Sequence, residues 1–290
     1  MKNNHIAILA DSCNDIPEEL TKKYNIYTMP LLINYTDRSY KDRVDITPQE
    51  VYDGLKKEIP KTSLPLRGDI EALFDQIKAD GHTHVIVSII SSGLSGTYQA
   101  LELFAQSRDD LTIEVINTLN IGIGSGFVAL YAAELLEKGL DFDTIVQKTR
   151  AVVPRSGVYF GLKTLEYLIK GGRIGKVQGI LGSAFKIKPI ISCNAEGIYD
   201  TVAKVRGRKQ NISKMIEMTR ERIGTHKNYY LALCHGDVEE EMLEMKAQII
   251  DLIEGATIYS EGQISPVLGV HTGPGLLGIG FLILEDEEND

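Results

Sequence analysis

What this 290-residue chain lacks removes several classes of function at once. Its three cysteines, Cys13, Cys193 and Cys234, lie far apart, with no CxxC pair and no Cys/His ligand spacing. That excludes a disulfide frame and a zinc site, and reads as the reduced thiols of a cytoplasmic protein. Positive charge is scarce: 31 Lys and Arg against 40 Asp and Glu leave a net charge of −9. A general nucleic-acid binder, which needs a basic face to neutralise phosphates, is therefore not expected. Long apolar runs are missing too. The stretch after His5 is only five residues, Ile6 to Ala10, too short for a signal peptide. The longest uncharged stretch, Val115 to Ala133, carries Asn117, Thr118, Asn120 and Ser125 and is broken at Gly122, Gly124 and Gly126. It makes a poor membrane span and a reasonable start for a buried, glycine-rich helix. With 43% hydrophobic and 24% charged residues, nine prolines, no low-complexity tract and no internal repeat, the chain has an ordinary globular composition. Its length suits one large domain or two ordinary ones.

What is present is an alternation. "HIAILADS" reads as a buried strand closed by Asp11 and Ser12, followed by "IPEELTKKY" with Pro17 at a helix start. "IYTMPLLINY" is strand-like, and "TPQEVYDGLKKE" opens on a capping Thr47 with Glu50 three residues on. "IEALFDQIKADG" is an amphipathic helix, and "HVIVSII" and "TIEVIN" are apolar strands each followed by a helical segment. This order predicts a parallel sheet covered on both faces, a three-layer α/β/α arrangement. The second half differs. "LKTLEYLIKGG" reads as a helix stopped by two glycines, and "FKIKPIISCNAEGIYDTVAKV" as a hairpin turning at Asn194 to Gly197. A helix over 209–223, a strand over 229–234, a helix over 238–253 and the closing run "LLGIGFLIL" complete an α/β unit with a mixed sheet. Pro154 and Gly157 interrupt the pattern, which places the boundary near Val153 to Val158 and gives domains 1–155 and 156–290.

Polar clusters follow the strands, where ligands sit in an open parallel sheet. They are Asp11-Ser12, the run from Ser91 to Thr97, and Thr118 onward, with "KTSLPL" as a fourth. Aspartate and serine after a strand are often only helix caps; several clusters at one rim argue for more. A serine nucleophile needs G-x-S-x-G, and Gly93-Leu94-Ser95-Gly96-Thr97 misses that spacing. "GGRIGKVQG" lacks the first glycine and the Ser or Thr of a phosphate loop, and "GSGFVA" is a weak dinucleotide match whose glycines better suit close helix packing. An anion seat uses every cluster member. Ser95 and Gly96 lie where a helix begins, so free amides and a hydroxyl point one way, and Thr62 and Ser63 can add donors. Neutral donors without an arginine in the cluster suit one carboxylate in a half-buried slot.

"ADSCNDIP", "KTSLP", "SSGLSGTYQ", "LEYLIKGGRIG", "KIKPII" and "HTGPG" together resemble, in order and across residues 10 to 275, the DegV family of bacterial fatty-acid-binding proteins. The resemblance implies two α/β domains, the N-terminal one holding a carboxylate seat and the C-terminal one an acyl-chain pocket. It further implies that Thr62 and Ser95 hydrogen-bond the carboxylate of a long-chain fatty acid, and that His271 lies near the same head group. The protein is then a carrier, not an enzyme: no catalytic residue, metal or cofactor is expected beyond the bound lipid. Some family members present the acid to a separate ATP-dependent fatty acid kinase, which makes an acyl phosphate for phospholipid synthesis. Arg173 is the docking contact implied for such a kinase. After a helix stopped by Gly171 and Gly172 its guanidinium is expected to be exposed; the bland alternative is a helix-end cation on the last carbonyls. Transient contact with a membrane also fits a lipid carrier. One departure is Leu66, where the family often has serine. A sixteen-carbon tail at about 0.8 kcal/mol per buried CH₂ has ample driving force, so the hydroxyls need only orient the head group. The competing readings are a phosphotransferase or kinase subunit acting on a small polyol or carbonyl substrate, and a lipid-sensing regulatory module.

Overall fold

The computed structural model describes residues 5–180 and 187–285. Four parallel strands form the first sheet in the order β2-β1-β6-β7: β1 Ile6–Asp11, β2 Tyr27–Met29, β6 His84–Ile89 and β7 Thr112–Asn117. All six residues of β1 are buried because the sheet is covered on both faces. Ala7 and Leu9 point into one apolar cluster, and Ile6, Ile8 and Ala10 into another. A small antiparallel sheet sits beside it in the order β4-β3-β5, built from β3 Leu32–Asn34, β4 Ser39–Lys41 and β5 Lys61–Ser63. The second large sheet has the order β10-β9-β8-β13-β11-β12, from β8 Ser156–Gly161, β9 Ile187–Cys193, β10 Tyr199–Arg206, β11 Tyr229–His235, β12 Ile258–Gln263 and β13 Leu277–Ile283. In it β11 and β12 run parallel and the other pairs antiparallel.

Helices fill the layers. The N-terminal part holds α1 Glu18–Lys23, α2 Pro48–Gly54, α3 Arg67–Ala79, α4 Thr97–Ala105, α5 Gly122–Glu137 and α6 Phe142–Val152. The C-terminal part holds α7 Glu166–Lys170, α8 Gly207–Ile223, α9 Glu239–Lys246, α10 Ile250–Gly255 and α11 Pro266–Thr272. α3 and α4 lie on the outer face of the first sheet, and α8 and α9 on the outer face of the second. α5 is apolar around its whole circumference and packs between the two sheets, touching β1 and β6 on one side and β8 and β13 on the other. Its glycines serve that closeness: a side chain at Gly126 would strike the Asn14 carbonyl. Among the described residues no helix is long and apolar enough to cross a membrane.

The alternation, the capping box of Thr47 and Glu50, the hairpin turn and the mixed second sheet all form as the sequence predicts. Several elements differ. "IYTMPLLINY" is two strands, β2 and β3, in different sheets, because Pro30 between them has no amide to give a ladder. The helix expected over 238–253 breaks into α9 and α10 where Ile249 turns fully into the core. The helix in "LKTLEYLIKGG" is only α7, with Thr164 Oγ1 accepting from the amide of Glu166 at 3.1 Å. Strand β8 occupies the stretch read as a boundary, and β12 and α11 were not expected. Lys186, the first residue of "KIKPII", lies outside the described residues.

Candidate functional site

The hydroxyls between β6 and α4 divide by task. Ser91 is buried and donates to the carbonyl of Gly197 in the β9–β10 turn at 2.7 Å. Gly93 lies so near that turn that an added Cβ would sit 2.8 Å from the Gly197 carbonyl oxygen. Ser92 Oγ accepts from Asn117 Nδ2 at 2.7 Å, and its amide donates to Asn117 Oδ1 at 3.1 Å. These residues fasten the loop. Ser95 is different: half-buried, it pairs with Thr97 Oγ1 at 2.8 Å and accepts weakly from the Thr97 amide at 3.3 Å. Gly96 caps α4 without a side-chain bond, so amides of the first turn stay open beside the Ser95 hydroxyl. Thr118 Oγ1 donates to the Ile89 carbonyl at 2.9 Å, and Asp11 accepts from the amides of Cys13 (2.9 Å) and Ile90 (2.8 Å). Those two rim clusters are structural.

Thr62, at the middle of β5, faces α11. Its Oγ1 lies 2.7 Å from His271 Nε2, a contact closing 209 positions of sequence. The imidazole is deeply set, and burial, with Arg173 adding to it, pushes its pKa down to about 4. It is therefore neutral near pH 7. Gly171 makes room for the ring, since a side chain there would collide with Nδ1. Nδ1 is buried with no hydrogen-bond partner among the described residues. A proton on Nδ1 would be an unpaired buried donor, so the less costly tautomer carries it on Nε2. Nε2–H then donates to Thr62, which leaves the Thr62 hydroxyl proton free for a ligand.

Arg173 is half-buried, not exposed as expected, and curls back onto two carbonyls: Nη1 donates to Gly171 at 2.7 Å and Nε to Leu94 at 3.4 Å. It thus stands between His271 and the residue preceding Ser95. The seat is not the arginine-free cluster the sequence suggested. A cation sits in it, and its positive field favours an anion. Ser63 does not join the group. Strand alternation turns it to the exposed side, where its Oγ accepts from Asn34 Nδ2 at 2.9 Å and donates to the Leu64 carbonyl at 3.3 Å. Leu66 is 64% exposed. Thr62, His271, Arg173 and the Leu94–Ser95 loop therefore adjoin in sequence-distant steps, and Leu94 and Ile174, next to them in the chain, pack against an apolar cluster that includes Leu168, Val177, Ile180, Ile191 and Tyr199. Helix α11, which presents His271, is not among the elements the sequence pattern predicts. Its signal was available in Ser265-Pro266, an N-cap serine followed by proline at the first helical position. Among the described residues no group of three or more His, Cys, Asp or Glu side chains is arranged to hold a metal.

The fold is an α/β protein with two large layered sheets, and at this rim hydroxyls, an imidazole and a guanidinium from both halves of the chain come together. The model of the DegV family, described as "Uncharacterised protein, DegV family", matches residues 5–284, and the chain belongs to that family. It is 43% identical over 274 residues to a DegV domain-containing protein of Clostridium acetobutylicum, covering 94% of this chain and 97% of the relative. Among solved structures it resembles a DegV family protein from Thermus thermophilus described by its fatty acid binding, at TM-score 0.90 and 27% identity over 97% of this chain and all of the other. It is also similar to DegV of Bacillus subtilis, described as a fatty acid binding protein, at TM-score 0.88 and 27% identity over 97% and 99% of the two chains.

Proposed function

We propose that this protein binds one long-chain fatty acid, holds its carboxylate at Thr62 and Ser95 beside Arg173, and beds its tail in the apolar cluster beneath, largely among residues of the 156–290 part. The observation that carries this reading is the bond between Thr62 and a neutral, half-buried His271 with Arg173 next to it. That arrangement offers hydroxyl donors and one positive charge, and it suits a single anionic head. The fatty acid binding of the Thermus and Bacillus relatives supports the choice of ligand. The protein acts as a cytoplasmic carrier that presents the acid to a separate kinase for conversion to acyl phosphate, with Arg173 at the edge of the presented head group.

The test is extraction of lipid from the purified wild type, Thr62→Ala and Ser95→Ala proteins, with bound fatty acid measured by mass spectrometry. Either substitution leaves a half-buried carboxylate short of a donor and costs about 1–3 kcal/mol, roughly tenfold to a hundredfold in affinity. Ser63→Ala serves as the control and should retain its lipid. A wild type that carries no fatty acid and takes up none when offered it refutes the reading.

A further inference from the structure

Helix α11 carries His271 near its end, and its start is held by side chains from far back in the chain. Arg43 Nη2 donates to the Gln263 carbonyl at 3.3 Å, the Ser265 amide donates to Asp15 Oδ1 at 2.8 Å, and the Val267 amide donates to Asp42 Oδ1 at 3.1 Å. Residues 263, 265 and 267 are thus gripped in turn. Asp15 and Arg43 are paired with each other at 2.9 Å, and both adopt a positive φ, 51° and 61°, which is unfavourable for residues with a Cβ.

A local cap would have been simpler. Ser265 occupies the N-cap position, yet its buried hydroxyl makes no cap bond. The open amides of the first turn are taken instead by remote carboxylates, which complement the helix dipole. Asp42 is 1% exposed, so this cap carries a desolvation cost a serine would not. What the remote cap adds is position. Asp42 directly follows β4, and Thr62 lies on β5 of the same three-stranded sheet. One small sheet therefore holds α11 at both ends, by Asp42 at the first turn and by Thr62 on His271 at the last.

We propose that Asp15, Asp42 and Arg43 are positioning residues for the head-group seat. They set α11 along its axis against the small sheet, so that His271 meets Thr62 and the seat distinguishes a carboxylate from an uncharged head of the same chain length. This rests on the reading of the seat as a fatty-acid carboxylate site.

Palmitic acid and hexadecanol, bound to delipidated full-length protein, test it together, because the two share a tail and differ in the head. Wild type should prefer the acid. In Asp42→Asn the affinity for the acid should fall about tenfold or more, as expected for a misplaced donor, while that for the alcohol changes less than about twofold. Asp15→Asn should act in the same direction and carries the test if Asp42→Asn does not fold. In protein with ¹⁵N-labelled histidine, the His271 ring signals should move in both variants without ligand. Retained preference with unmoved His271 signals overturns the proposal, as does an equal loss of acid and alcohol. A wild type that binds neither compound removes the underlying functional reading as well, and the wild-type measurement alone reveals it.

Discussion

The two ends of helix α11 bury groups of opposite kind. At its start lie Asp15 and Asp42, and burial, with the neighbouring carboxylate adding to it, raises the pKa of Asp42 to about 7 in spite of Arg43 and the helix amide. At its end lies His271, which burial and then Arg173 push down to about 4. Acid and base are both driven toward their neutral forms, so removal from water outweighs pairing at each end. The ends differ in what remains. At the start, more than one carboxyl shares a single guanidinium. At the other end, the charge acting on the imidazole is the Arg173 guanidinium, which an anionic ligand would complement.

Three changes would break or sharpen that contrast. The largest effect is expected for Gly171→Val, because even a Cβ at this position collides with the His271 ring. Overpacking costs about 1–3 kcal/mol in stability, whereas the displaced imidazole should lower retained fatty acid by about tenfold or more. Lipid extraction and a thermal melt separate the two, and an unaltered lipid content would show that the seat does not need His271 in place.

The second concerns pH. Asp11 and Asp42 have folded-state values of about 7, raised from the ordinary 3.8 chiefly by burial. Their contribution to stability is fully present below about pH 4 and is lost as pH rises toward 7, at up to about 1.4 kcal/mol per unit for each group. His271 has the reverse sign: its contribution is present above its ordinary 6.5 and is lost as pH falls toward 4. Denaturation of the ligand-free protein between pH 5 and 8 should show Asp42→Asn gaining on the wild type as pH rises. His271→Gln should gain on it as pH falls. Parallel profiles for all three proteins would mean that neither end titrates in this range.

The smallest effect is expected for Arg173→Ala. Without the nearby cation, the His271 imidazole should titrate at a higher pH than in wild type, read from labelled histidine. If Arg173 also borders the head group presented to a kinase, the same variant should hold less fatty acid than wild type, and the acid it still holds should be phosphorylated more slowly by the cognate enzyme. An unmoved titration would place Arg173 outside the seat.

Much of this was legible from the residues. Continuous apolar runs such as Ile6 to Ala10 gave buried parallel strands, and Thr47 with Glu50 gave a helix start, because these signals are local. Pro30 is equally legible as a strand breaker. The hydroxyls of Thr62 and Ser95 stood out as chemistry on a loop, but nothing local distinguishes Ser95 from Ser91 and Ser92. That distinction comes from Gly197 and Asn117, which reach the loop only in the folded chain. The approach of Arg173 to His271, and of Asp42 to Val267, depends on how the small sheet meets the second half, and no periodicity records that.

The bond between Thr62 and His271 spans most of the chain, so the seat comes together only after one of the most distant closures in the fold. A fragment lacking α11, or a chain whose second sheet has not yet docked, has the loop hydroxyls but not the seat. Under the proposed function, a bound fatty acid is then a proofreading mark for assembly: it would recognise the finished molecule and, by mass action, weight the equilibrium toward it.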